Sequence, residues 1–252
     1  MSDYDRNVAA RGFGAARAEA IDAGLRAYMI RVYNYMAAGV ALTGVVAWLT
    51  FNAAVVTDAT GRITGLTSFG QTIYSGPLTI VLFLGTLGLV FFLSFRINNL
   101  QPSTALMLFM LYAGLLGLML SSVFLAYTGA SITRTFFISA ASFGALSLYG
   151  YSTQRDLSPI GSFLIMGLFG LILAMLVNMF LKSSGLEFAI SAIGVLIFAG
   201  LTAYDTQRIK EMYSANDDGT IAGRKAVMGA LQLYLDFINL FLFLLRFMGD
   251  RR

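Results

Sequence analysis

The chain has 252 residues, of which 58% are hydrophobic and only 12% charged, with a formal net charge of +4 and a mean hydropathy of +0.75. Globular domains carry about a quarter charged residues, so this composition cannot supply a water-facing surface and lipid must be the main solvent. Cysteine and histidine are both absent, which removes disulfide frameworks, thiolate chemistry and every imidazole-dependent site.

Residues 1–26 are polar and carry charges of both signs, among them Asp3, Arg6, Arg11, Arg17, Glu19 and Arg26. No short apolar core precedes a small-residue cleavage site, so this stretch reads as a cytoplasmic tail and not a signal peptide. Its first part is expected to be disordered, with a short surface helix over 15–28. Residues 27–252 form the membrane domain. Runs long enough to cross roughly 30 Å of hydrocarbon as helices lie near Val32–Asn52, Pro77–Phe95, Thr104–Tyr127, Thr133–Tyr151, Pro159–Leu181, Phe188–Gln207 and Ala226–Phe247. Backbone polar groups in lipid must be satisfied within each segment, so the fold class is all-α, a polytopic bundle of seven transmembrane helices. The alternating pattern of a membrane barrel is absent. The short break between Thr128 and Ile132 also permits six spans and a re-entrant segment. Small-residue pairs at Gly85/Gly88, Gly114/Gly117, Gly167/Gly170 and Ala140/Gly144 read as sites of close helix packing within one bundle.

The basic excess is small and spread over short loops, which speaks for membrane orientation and against nucleic-acid binding. With the tail inside, the cytoplasmic side carries Arg6, Arg11, Arg17, Arg26, Arg31, Arg96, Arg155, Arg208, Lys210, Arg224 and Lys225. The opposite side carries the smaller set Arg62, Arg134, Lys182, Arg246, Arg251 and Arg252. The positive-inside rule therefore favours a cytoplasmic N-terminus. After seven spans the arginines at the C-terminus would face out, unless the last run stops short of crossing.

The absences exclude several enzymes. Without histidine there is no Ser/His dyad, no H-E-x-x-H metal site and no His-ligated haem. A retinal Schiff base needs a lysine within the last helix, where Lys225 stands only at the entrance. An intramembrane aspartyl protease would carry glycines around its second aspartate, but Asp236 lies in Leu233-Tyr234-Leu235-Asp236-Phe237. No catalytic residue is expected, and the protein reads as a non-enzyme.

The charges inside the apolar runs are the informative residues, since each costs about 2.5–3.5 kcal/mol at mid-bilayer. Gln232, Asp236, Asn239 and Arg246 share one helical face, giving the last helix a polar stripe that should point into the bundle. Asp205 stands near the end of the preceding helix, in Thr202-Ala203-Tyr204-Asp205-Thr206-Gln207-Arg208. The two helices run in opposite directions, so both aspartates lie toward the cytoplasmic side, Asp236 roughly 15 Å into its helix. Arg96, at the cytoplasmic end of the second span, has a compatible depth. Two carboxyls brought close in a low-dielectric site would share a proton and form a pH-sensitive latch. The structural alternative pairs Asp205 with Arg208 and Asp236 with its polar neighbours.

Two runs carry a resemblance: Ala203-Tyr204-Asp205-Thr206-Gln207-Arg208-Ile209-Lys210, and Leu231-Gln232-Leu233-Tyr234-Leu235-Asp236-Phe237-Ile238-Asn239-Leu240-Phe241 followed by Leu244-Leu245-Arg246-Phe247. Their order, the chain length and the span count resemble the Bax inhibitor-1 family. The resemblance implies six helices around a central last one. It also implies a pH-dependent calcium leak gated by Asp205 and Asp236, with Arg96 in Phe95-Arg96-Ile97 as their partner. A bacterial branch of the family restrains a membrane-bound, ATP-dependent quality-control protease, and eukaryotic members are anti-apoptotic. The end at Gly249-Asp250-Arg251-Arg252 departs from lysine-rich family tails.

Calcium takes six to eight oxygen ligands. Asp205, Asp236, Gln232 and Asn239 offer only a few, and Asp217-Asp218-Gly219 lacks the EF-hand spacing. A calcium site on Asp205 and Asp236 is therefore expected to be weak and transient, as a passage site must be. The ion path would run past Gln232 and Asn239, with no resident cofactor. The expected protein is a multi-pass protein of the bacterial inner membrane that interacts with the bilayer, calcium and protons. The alternative is a regulator bound to a membrane protease complex.

Overall fold

A computed structural model describes residues 3–59 and 62–252, with side chains from Ile21 onward. The expected disorder at the start of the tail falls on residues whose side chains lie outside that description. The elements in order are α1 (Asp3–Ala54), β1 (Val55–Thr57), β2 (Ile63–Leu66), α2 (Ser68–Tyr74), α3 (Pro77–Arg96), a 3-10 turn (Ile97–Asn99), α4 (Pro102–Leu120), α5 (Val123–Ala126), α6 (Gly129–Ser152), α7 (Ser158–Leu181), α8 (Ser184–Glu211) and α9 (Gly219–Met248).

Six helical stretches among the described residues are long and apolar enough to cross a membrane: 21–54, 77–99, 102–126, 158–181, 184–211 and 219–248. The remaining expected span is α6, whose 24 residues suffice for a crossing but which carries more hydroxyls. Those hydroxyls face the bundle: Ser131, Thr135, Ser139 and Ser147 are all buried. Ser139 donates to the Thr135 carbonyl at 2.8 Å, a local bond that lets a polar side chain sit in a membrane helix.

The three prolines of the chain each stand in the first turn of a helix, in α3, α4 and α7, where no backbone N–H is missed. Side-chain oxygens of Thr128, Ser183 and Asp218 accept from the backbone N–H three residues on and start α6, α8 and α9, satisfying donors left free by the helix. The connection after α1, read from sequence only as a loop, folds into a hairpin in which Val55 pairs with Leu66 and Val56 with Gly65, antiparallel.

The last helix is the centre of the bundle. In α9, 67% of the most apolar window is buried, against 11% in both α3 and α7. It packs against α1, α4, α6 and α8, while α3 leans on α4 and α7 on α8. Contact is closest where glycine replaces a side chain. A Cβ on Gly150 of α6 would fall 2.1 Å from the Ala203 carbonyl oxygen of α8. The small-residue pairs named above do not carry this packing. Gly85, Gly88, Gly114, Gly144 and Gly170 have open space where a Cβ would stand, and only Gly117 and Gly167 meet a neighbour. Close spacing on one helix identifies a small-sided face but says nothing of what lies opposite it.

The last run is one unbroken helix of 30 residues, long and apolar enough to cross a membrane. Beyond α9, Asp250, Arg251 and Arg252 are fastened to the start of α6 and of α8. The Thr128 N–H donates to the Asp250 carbonyl at 3.1 Å, the Arg252 N–H to the Ala126 carbonyl at 3.0 Å, and the Asp250 N–H to Ser131 Oγ at 2.9 Å. Arg134 pairs with Asp250 at 3.1 Å, and Arg251 pairs with Glu187. Both ion pairs are exposed, so Arg134→Gln is expected to cost only about 0–1 kcal/mol. Deleting residues 250–252, which removes the backbone bonds as well, is expected to lower the thermal midpoint in detergent by more than Arg134→Gln does.

Candidate functional site

Asp205 lies on the buried face of α8, and Asp236 on the polar stripe of α9; both are buried. The antiparallel packing of α8 on α9 brings their carboxyls within hydrogen-bonding reach of each other, with the Gln232 amide beside Asp205. One oxygen of Asp236, Oδ2, is buried without a hydrogen-bond partner. Two carboxylates have only acceptors to offer one another, so a hydrogen bond between them requires one of the two to carry a proton.

The pair faces a cavity of about 520 Å³ between α7, α8 and α9. Its polar lining is Asp205, Arg208, Gln232, Asp236, Asn239 and Arg246; the rest is apolar, from Ile165, Leu168, Ile172 and Met175 of α7 and from their neighbours on α8 and α9. Asn239 donates to the Leu235 carbonyl at 2.8 Å, which leaves its own carbonyl oxygen for the cavity. The Arg246 guanidinium lies 5.6 Å from the centre of the Phe243 ring, one of the cation–aromatic contacts that hold a charge without a counter-ion. Two buried carboxyls thus face a cavity whose lining also includes two arginines, Arg208 and Arg246, both exposed.

Arg96 is not brought to the pair. It is exposed in the last turn of α3, a peripheral helix, and the arginines of the cavity are Arg208 and Arg246. Depth along a helix is readable by counting residues, but Arg96 shares only that coordinate with the aspartates. Nor does Asp205 make an ion pair with Arg208: the salt bridges among the described residues are Arg134–Asp250, Lys225–Asp217 and Arg251–Glu187. Among the described residues no group of three or more Asp, Glu, His or Cys could hold a metal ion. Asp217 is taken up by Lys225 at 2.6 Å, and Asp218 caps α9 through the Ile221 N–H at 2.7 Å.

The residues around Asp205 have a second duty that spacing did not reveal. Gln207 is buried and holds the α6–α7 connection with both ends of its amide, accepting from the Leu157 N–H at 2.8 Å and donating to the Arg155 carbonyl at 2.8 Å. Lys210 donates to the Tyr151 carbonyl at 2.8 Å, and Thr206 Oγ1 is 3.1 Å from Ser147 Oγ. In that connection the Ser158 N–H donates to Asp156, which holds this exposed carboxyl below its ordinary range. Thus the run around Asp205 both lines the cavity and fixes the depth of α6 and α7 against α8.

The family profile described as "Inhibitor of apoptosis-promoting Bax1" matches residues 25–252. The protein RP147 of Rickettsia prowazekii is 49% identical over 252 residues, covering 100% of both chains. The inner membrane protein YbhL of Escherichia coli K12 is 48% identical over 234 residues, or 91% of this chain and 94% of its own. The membrane protein SpyM3_0260 of Streptococcus pyogenes is 36% identical over 228 residues, 90% of this chain and 94% of its own. With the profile spanning every membrane helix and relatives aligned almost end to end, the chain belongs to the Bax inhibitor-1 family.

Proposed function

We propose that the protein is a pH-sensitive cation leak, with calcium as cargo, in which Asp205 and Asp236 act as the gate. The observation that carries this reading is the carboxyl pair facing one cavity with an unpartnered oxygen on Asp236. A proton shared by the pair ties α8 to α9; its loss places two like charges in contact and drives the two helix faces apart. A passing cation is then bound by a handful of oxygens from Asp205, Asp236, Gln232 and Asn239, too few for a storage site. The inner-membrane location of the Escherichia coli relative YbhL supports a bacterial inner membrane, and the loop arginines support a cytoplasmic N-terminus. No catalytic residue and no resident cofactor enter this reading.

The test is calcium uptake into dye-loaded proteoliposomes between roughly pH 6 and 8. Wild-type flux is expected to vary with pH, by at most about tenfold per unit for one titrating pair. Asparagine has the shape of a carboxyl that cannot lose its proton, so Asp205→Asn and Asp236→Asn are expected to give flat profiles. Variants that keep the wild-type pH profile sink the gate. Correctly inserted wild-type protein that passes no calcium at any pH sinks the leak and favours the regulator of a membrane-bound protease.

A further inference from the structure

We propose that the cleft between α1 and α6 binds one anionic phospholipid, with an acyl chain between the helices and the phosphate at Arg26. This site lies across the bundle from the aspartate cavity and does not depend on the leak.

The cleft has a volume of about 700 Å³, within the roughly 300–1,000 Å³ typical of ligand sites. It exists because α1 packs on α4 and α9, and α6 on α8 and α9, so a seam remains between α1 and α6. Small residues line both walls, Ala37 and Ala41 on one and Ala140 and Gly144 on the other. At Gly150 a missing side chain brings two backbones into contact, yet a Cβ on Gly144 would meet nothing within 4 Å. Here the small residues keep space open. Phe136 closes the far end, edge-on to Phe237 at 5.8 Å; beyond it the seam resumes as a separate cavity of about 320 Å³. That wall suits a chain entering from one leaflet.

The near end is cationic. Arg26 lines the cleft, is exposed and has no ion pair among the described residues. Lys210 is not a lining residue, but its ammonium lies 5.3 Å from the centre of the ring of Tyr151, which lines the cleft. No carboxylate lines the cleft; Asp22, the nearest acid before Arg26 on α1, is not part of it. Tyr33 and Tyr151 line the same end, where amphipathic rings sit at headgroup depth. An apolar slot below a basic, tyrosine-ringed mouth matches a lipid with a negative headgroup. A second copy of the chain fits less well: a symmetric face-to-face dimer sets Arg26 opposite Arg26.

The test is native mass spectrometry of the full-length protein in detergent with added palmitoyl-oleoyl phosphatidylglycerol or phosphatidylcholine. Wild type is expected to retain phosphatidylglycerol about fivefold better than phosphatidylcholine, the effect of one basic residue at a membrane surface. Arg26→Gln, at an exposed position, is expected to erase that preference. Gly144→Leu, whose side chain enters open space, is expected to displace both lipids while the thermal midpoint is kept. Equal retention of the two lipids by wild type, or unchanged retention in both variants, overturns the proposal. So does a dimer in the wild type that Gly144→Leu converts to monomer, which assigns the cleft to a second copy.

Discussion

Gly150→Val is expected to be among the most damaging substitutions outside the aspartate cavity. A Cβ at this position would lie 2.1 Å from the carbonyl oxygen of Ala203 and 2.9 Å from its carbon. Both obstacles are backbone of a long helix, so no rotamer change relieves them and α6 must move off α8. Overpacking costs about 1–3 kcal/mol when side chains can adjust; with backbone against backbone, the upper end or more is expected. Unfolding of the purified protein in mixed micelles reads the loss directly. Gly144→Ala, six residues earlier on the same helix, is the matched control. Its Cβ meets nothing, so it is expected to be neutral or to stabilise by up to about 1 kcal/mol through helix propensity. Equal losses at the two positions would mean that α6 and α8 do not touch as described. Ala203 lies two residues before Asp205, so the displaced α8 in Gly150→Val would also carry one wall of the cavity with it.

Tyr234→Ala is expected to have a comparable effect for the opposite reason, a hole at the centre. Tyr234 is completely buried in α9, edge-on to Phe109 at 5.4 Å and to Tyr112 at 5.9 Å. Its hydroxyl is 2.6 Å from Thr43 Oγ1. Thr43 spends its one hydroxyl hydrogen on the Ala113 carbonyl at 2.8 Å, so Tyr234 must be the donor between them. One side chain therefore ties α9 to α1 and, through Thr43, to α4. Truncation to alanine removes the ring and is expected to cost about 3–5 kcal/mol. Tyr234→Phe keeps the ring and loses one hydrogen bond, for about 0.5–1.5 kcal/mol. Thr43→Val is expected to cost about 1–3 kcal/mol, because it leaves the buried Tyr234 hydroxyl without an acceptor. A double-mutant cycle of Thr43→Val with Tyr234→Phe should then show non-additivity; strict additivity would rule out the bond.

The elements most legible in the sequence are those whose signal is local. The expected spans Pro77–Phe95 and Pro159–Leu181 match α3 and α7 almost residue for residue, since a proline opens each helix and lipid surrounds most of its length. The start near Ala226 was late because α9 begins at Gly219, in a polar turn that hydropathy passes over and that Asp218 caps. For the same reason α8 extends past Gln207 to Glu211: the chain leaves the hydrocarbon before it leaves the helix. α6 is legible by length but is not among the stretches apolar enough to stand out, because it carries hydroxyls that are buried inside the bundle.

The candidate site divides along the same line. That Asp205 and Asp236 share a depth follows from counting residues along two antiparallel helices, and the polar stripe on α9 follows from its period. Which arginines join them does not follow, because lateral position depends on the order in which helices surround α9. Arg96 has the depth without the position; Arg208 lines the cavity near Asp205, and Arg246 lines it ten residues beyond Asp236, toward the other end of α9. Tyr234 has no signal of its own beyond the motif it sits in, since nothing local distinguishes a buried tyrosine that links three helices from one at the headgroups. The α1–α6 cleft leaves no local mark either, because an empty seam is a property of two helices that each chose other neighbours.

The central place of α9 has a consequence for biosynthesis. The four helices that surround it precede it in the chain, so all of them leave the ribosome and enter the bilayer before it does. Until then the partners of α9 flank a vacant axis: Phe109 lacks the ring it packs on, and nothing donates to the Thr43 hydroxyl. Helices inserted one by one associate afterwards through packing and polar contacts; α1 can pair with α4, and α6 and α7 with α8, before α9 arrives, but the two groups are joined chiefly through it. Union of the two halves is thus deferred to a single late docking event. A nascent chain interrupted before Ala226 carries its preceding helices in the membrane with no axle to gather them, a state that invites proteolysis more than gradual maturation.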